Sequence, residues 1–271
     1  MLVIKEEKIN DFLEKLREKF EVLDITKDEL PFKQYFLPVN EQMFPVPKPP
    51  KKFVIFGLSE IDLEALIQLD EIMSKPKEDF YYWRRRKQTL VIGLEKDMKK
   101  LAKEYGEFLE EGNDTETKIF NWQQSMRQLL LDSELLADAV EWSHGHKIWD
   151  ELAEKCLGCG ICTYVCPLCY CFSIEDRVGL DDKCSRCRKW DACVLPGFAK
   201  ISGGHDFRPT LKERYYNWFY HKFVRAYREY GKSQCVGCGR CKEQCPAGID
   251  IQEVLKTILD DYGKFLQTPK S

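Results

Sequence analysis

Residues 156–167 read CLGCGICTYVCP, and residues 235–246 read CVGCGRCKEQCP. Both follow Cys-x-x-Cys-x-x-Cys-x-x-x-Cys-Pro, through Cys156, Cys159, Cys162 and Cys166 and through Cys235, Cys238, Cys241 and Cys245. Three thiolates at i, i+3 and i+6 can wrap one [4Fe-4S] cubane. The fourth lies beyond the wrap and reaches the neighbouring cluster. The spacing therefore predicts Cys156, Cys159, Cys162 and Cys245 on a first cluster. It predicts Cys235, Cys238, Cys241 and Cys166 on a second. Gly158, Gly160, Gly237 and Gly239 let the backbone pass close to the inorganic sulfides. Zinc usually draws on separated cysteine pairs, and disulfides have no need of this pattern twice.

Five cysteines stand outside the two runs: Cys169, Cys171, Cys184, Cys187 and Cys193. Free cysteines are often small buried hydrophobes. Five in so short a stretch also suit a third metal centre. Cys169, Cys171, Cys187 and Cys193 are its candidate ligands, with iron–sulfur favoured over zinc and Cys184 left over.

The rest of the chain bounds the reading. At 271 residues it can form two compact domains, and its net charge of −3 does not call for nucleic acid. The first ten residues lack a signal-peptide core, and no apolar run is long enough to cross a bilayer. A soluble protein of a reducing, anaerobic cytoplasm is expected. Residues 183–232 hold twelve Lys or Arg against four Asp or Glu. That imbalance suits either compensation of anionic clusters or a docking face for an acidic partner. No GxGxxG, P-loop or nucleophile elbow occurs, so no nucleotide-binding or catalytic residue is expected beyond the cluster ligands. His144, His146, His205 and His221 fall in no metal motif and read as packing or surface residues.

Every cysteine follows residue 155, which marks the main boundary. The expected fold class is α+β. A small α/β domain spans 1–95, a helical connector spans 96–155, and a mostly helical dicluster domain spans 156–271. Within the first part, helical periodicity covers residues 4–20. Short strands are expected at 21–25 and 34–37, a buried strand at 52–58, a helix at 61–73 capped by Ser59, and a strand at 88–93. Pro45, Pro47, Pro49 and Pro50 make an extended connector. In the helical connector, Leu129, Leu130, Leu135, Leu136 and Val140 form the expected buried face. Sixty-eight residues separate the two motifs, and residues 210–230 contain neither Gly nor Pro and read as a helix. Arg84, Arg85 and Arg86, beside Tyr81, Tyr82 and Trp83, are expected to pack and pair, at a subunit contact.

Two cluster loops held by helices resemble the α-helical ferredoxin fold of quinol:fumarate and heterodisulfide reductase iron–sulfur subunits. The series CLGCGICTYVCPLCYCFSIEDR, RKWDAC, GHDFR, HK and CVGCGRCKEQCPAGIDI resembles the beta subunits of sulfhydrogenase-type soluble [NiFe] hydrogenases. It is equally similar to the corresponding iron–sulfur subunit of anaerobic sulfite reductase. The resemblance is strong over residues 156–252 and extends, more weakly, to FGLSEIDLEALIQLDEIM at 56–73 and FYYWRRRKQTLVIGL at 80–94. SEIDL stands where the family often has RPCDL, and Cys184 looks additional to the family pattern. The resemblance implies a non-catalytic electron wire with two [4Fe-4S] clusters. On one side of it would lie a catalytic subunit, on the other a flavin, NAD(P)H-linked or ferredoxin-linked one. The alternative is an enzyme with chemistry of its own at an unusual third cluster.

Overall fold

The computed structural model describes residues 9–25, 30–48, 50–93, 114–179 and 183–268. Helices and two small sheets make a mixed α and β architecture. In the first sheet, β3 (Phe53–Leu58) is central, with β1 (Glu21–Asp24) and β4 (Thr89–Gly93) parallel on either side. Phe53, Val54, Ile55, Phe56 and Leu58 are all buried, as a strand covered on both faces requires. Ser59 then caps the next helix (Glu60–Ile72) by accepting from the Asp62 amide at 3.2 Å. The helix expected over residues 4–20 is observed at Ile9–Arg17. Its first turn, Pro49, and residues 96–113 of the expected connector lie outside the described residues.

One expected strand is instead a helical turn. Lys33–Phe36 is α-helical because Phe32 and Phe36, four residues apart, both enter the core. That spacing fits a helix and not a strand of period two.

The second sheet is antiparallel, in the order β2 (Asn40–Phe44), β6 (Cys184–Trp190), β5 (Phe172–Val178). A hairpin thus occupies part of the segment between the cluster motifs, and its third strand comes from the first fifty residues. A buried ion network holds this junction. Arg188 donates to Glu41 at 2.7 Å and to Asp79 at 2.7 Å, and Arg85 donates to Glu41 at 2.9 Å. The three-part division at 95 and 155 stays our proposal, with this strand pairing joining its first and third parts.

Helices Asp114–Leu130, Ser133–Trp142, Ile148–Lys155 and Ile251–Gln267 surround the helical run that begins at Leu211. Leu136 and Val140 are fully buried and Leu129 and Leu130 partly so, but Leu135 is 41% exposed. Leu135 adjoins Leu136 in sequence, and a helix turns neighbours about 100° apart, so Leu135 faces out. The run over residues 210–230 starts with a capping box between Thr210 and Glu213 and passes through a π-helical stretch, Tyr220–Arg225. Two apolar cores result. One gathers Met126, Leu136, Trp149, Trp218, Phe219 and Leu255, and the other gathers Phe32, Phe36, Ile55, Leu69 and Tyr82. Cys156, Cys162, Cys235, Cys241 and Cys245 pack against the first; Cys166 and Cys169 belong to the second.

Candidate metal centres

The two motif loops are built alike. Cys156 ends a helix, with its amide donating to the Leu152 carbonyl at 2.8 Å. The chain then turns through Gly158 and Gly160, at φ +63° and +78°, into the one-turn helix Ile161–Tyr164. In the second loop Gly237 and Gly239 have φ +68° and +84° and lead into Arg240–Glu243. Left-handed backbone of this kind favours glycine. It turns amides toward sulfur: Gly158 donates to Cys156 Sγ and Ile249 to Cys245 Sγ, both at 3.4 Å.

The thiols meet in two cavities. Cys156, Cys159, Cys162 and Cys245 line the first, with Val194, Tyr215, Trp218 and Ile251 among its walls. Cys166, Cys235, Cys238 and Cys241 line the second, with Trp122, Leu168, Lys222 and Ile251. Cys241 also borders the first cavity, so the two spaces share a wall. Each cavity thus holds three cysteines of one motif and the last cysteine of the other.

The surroundings suit iron–sulfur clusters. All thirteen cysteines are free thiols. Burial pushes the Cys162 thiol up to about 12 and the Cys238 thiol up to about 11, and it also raises Cys156, Cys235 and Cys241. Such thiols become thiolates when a metal takes the place of the proton. Trp218 Nε1–H is buried without an acceptor among the described residues, and its side chain lines the first cavity. An anionic, sulfide-bearing group supplies an acceptor of the kind it lacks. Among the described residues no three His, Cys, Asp or Glu side chains converge as a single ion would need.

The four candidate ligands of a third centre are distributed differently. Cys169 donates a hydrogen bond to Cys166, and Cys193 donates one to Cys171. Cys187 stands on β6, paired in register with Gln42 and Glu175, and Cys184 is exposed at the start of that strand. The Cys166 thiol is held well below its ordinary range by the bond from Cys169. Burial opposes this, and the Lys222 and Lys33 ammonium groups reinforce it.

Two buried lysines escaped the reading of the sequence. Lys222 Nζ donates to the Gln234 carbonyl at 2.8 Å and to Cys166 Sγ at 3.2 Å, with Cys169 Sγ at 4.0 Å. Lys33 Nζ donates to the carbonyls of Cys169 at 2.7 Å and Thr163 at 2.9 Å. The signal for Lys222 was its place four residues after Trp218 and four before Ala226, on the buried stripe of the helix. Arg84, Arg85 and Arg86 are spent internally, on the Pro47 carbonyl, Glu41 and Asp70. None of the four histidines lines either cysteine cavity. His221 is the most enclosed, pushed down to about 4 by burial and by the neighbouring Arg225 and Lys222.

Comparison with known proteins agrees with this geometry. Residues 155–249 match the family model described as a 4Fe-4S dicluster domain. The chain is therefore read as carrying [4Fe-4S] clusters. No solved structure matches it. It is 31% identical over 285 residues to sulfhydrogenase 2 subunit beta of Pyrococcus furiosus, covering 87% of this chain and 85% of that protein. A likeness of that extent, reaching well beyond the cysteine motifs, makes this chain a member of the sulfhydrogenase beta-subunit family.

Proposed function

We propose that this chain is the electron-transferring subunit of a cytoplasmic, anaerobic oxidoreductase complex. It would relay single electrons between two other subunits, one of flavin or ferredoxin type, the other catalytic and of the [NiFe] hydrogenase class. The observation that carries the reading is the shared wall: two four-thiol cavities border each other at Cys241. Bound [4Fe-4S] clusters supply one-electron redox chemistry at ordinary protein potentials.

The chain's own residues do the positioning. Crossed ligation, with Cys245 serving the first centre and Cys166 the second, fixes the two motif loops against each other. Apolar walls at Val194, Tyr215, Leu168 and Ile251 limit water. Among the described residues no helix is long and apolar enough to cross a membrane. The dicluster part would take an α-helical ferredoxin-like form.

Purification under anaerobic conditions tests the proposal. The chain should co-purify with two further subunits, one larger and catalytic, the other a reductase. Alone, it should accept electrons from reduced viologen and show no turnover with hydrogen, sulfite or polysulfide. Unaided turnover by the isolated chain would refute the wire.

A further inference from the structure

The two cavities differ in charge. Arg214, near Cys156 of the first, points its guanidinium at the carbonyls of Val194, Arg208 and Pro209. Arg240, beside Cys238 of the second, is neutralised by a bidentate pair with Asp62, both contacts at 2.8 Å. Lys222 is different. It lines the second cavity, is 3% exposed, and reaches a ligand sulfur directly at 3.2 Å. Among the described residues no carboxylate pairs with it. Lys33, the other buried ammonium nearby, adds charge of the same sign but bonds carbonyl oxygens.

The backbone is shaped to deliver this side chain. Lys222 lies in the π-helical stretch Tyr220–Arg225, and such bulges concentrate at functional sites. Its carbonyl accepts from the Gln234 amide at 2.8 Å while its ammonium donates to the Gln234 carbonyl at 2.8 Å. This double clamp grips the residue just before Cys235. The ammonium therefore has a fixed place beside the second motif.

We propose that Lys222 is a positioning cation that raises the reduction potential of the centre at Cys166, Cys235, Cys238 and Cys241 above that of the other centre. Reduction adds one negative charge to a thiolate-ligated cluster, and a fixed cation favours the more negative state. The second centre then becomes the electron sink of the pair. The proposal rests on the two-cluster reading.

The test is a potentiometric titration followed by EPR on the full chain, anaerobically loaded, comparing wild type with Lys222→Met, Lys222→Gln and Lys222→Arg. Cys166→Ser identifies which signal belongs to the second centre. In wild type that signal should be the one with the higher potential. In the neutral variants its reduction constant should fall at least tenfold, ~59 mV for a one-electron couple, with the other signal moving less. Lys222→Arg should stay near wild type. A change under twofold in both neutral variants overturns the proposal. So does loss of the second centre's iron from both, because the side chain would then build the site and not tune it. An iron content near four per chain in wild type, against about eight for two cubanes, would instead refute the two-cluster reading itself.

Discussion

Gly160→Ala should damage this protein more than alanine at any other left-handed glycine in the cluster loops. Two separate costs arise there. The first is conformational: at φ +78° an L-residue costs about 1–2 kcal/mol. The second is spatial. A Cβ on residue 160 would stand 2.8 Å from the Ala192 Cβ and 3.3 Å from the Tyr164 ring. The Ala192 methyl is fixed to its backbone, so no rotamer change relieves the overlap. Overpacking of this kind adds roughly 1–3 kcal/mol. The total is about 2–5 kcal/mol. Gly197 is the control, because φ is +85° there and nothing lies within 4 Å of its added Cβ. Gly197→Ala should cost only the conformational share, about 1–2 kcal/mol. The assay is thermal loss of the cluster absorbance under anaerobic conditions at one scan rate, with far-UV dichroism alongside. Each kcal/mol corresponds to roughly 2–4 °C in a chain of this size. Gly160→Ala should therefore melt several degrees below Gly197→Ala. Equal shifts would refute the packing argument and leave backbone conformation as the whole effect.

Other outcomes follow from the same structure. Cys166→Ser should perturb the centre held by Cys235, Cys238 and Cys241 and spare its sequence neighbour at Cys156; an EPR change confined to the Cys156 centre would exclude crossed ligation. Anaerobic iron analysis should give about eight irons for two cubanes and about twelve for three. If Cys187→Ser and Cys193→Ser both leave iron and EPR unchanged, there is no third centre. Glu41→Gln should cost about 3 kcal/mol, because Arg188 would remain buried with Asp79 as its one acidic partner; a denaturation midpoint like wild type would show that Asp79 suffices. His221 is held in its neutral form, so falling pH should weaken the fold between 6.5, where an unfolded histidine charges, and about 4, by up to about 3 kcal/mol. That pH dependence should be absent from His221→Gln; an identical slope in the variant would assign it to other groups.

The parts of this protein that were legible in sequence are those set by local spacing. The cysteine wraps, the Ser59 cap and the apolar run of β3 each depend on residues within one turn or strand. The hairpin was not legible. Phe172 and Ile174 of β5 are 40% and 47% exposed, and β6 carries Arg186, Arg188 and Lys189, so neither strand shows a buried apolar face. Its register comes instead from β2, far earlier in the chain, and from Arg188 bonding Glu41. Lys222 was hidden for a different reason. A lysine among aromatics reads as a snorkelling side chain, and only the assembled cavity shows that its charge ends on sulfur.

The bond from Lys33 to the Cys169 carbonyl spans 136 positions, and that distance is also a time. A ribosome adding about 5–20 residues per second needs roughly 7–27 s to cover it. Throughout that interval Lys33 sits beside Phe32 and Phe36 with neither of its carbonyl partners yet synthesised. The newborn first third of the chain can pair its parallel strands but cannot close over this ammonium. Closure waits for the segment that carries Cys166 and Cys169. The wall that completes the early core is thus the wall that receives iron, so metal supply during synthesis decides whether the oldest part of the polypeptide ever finishes folding.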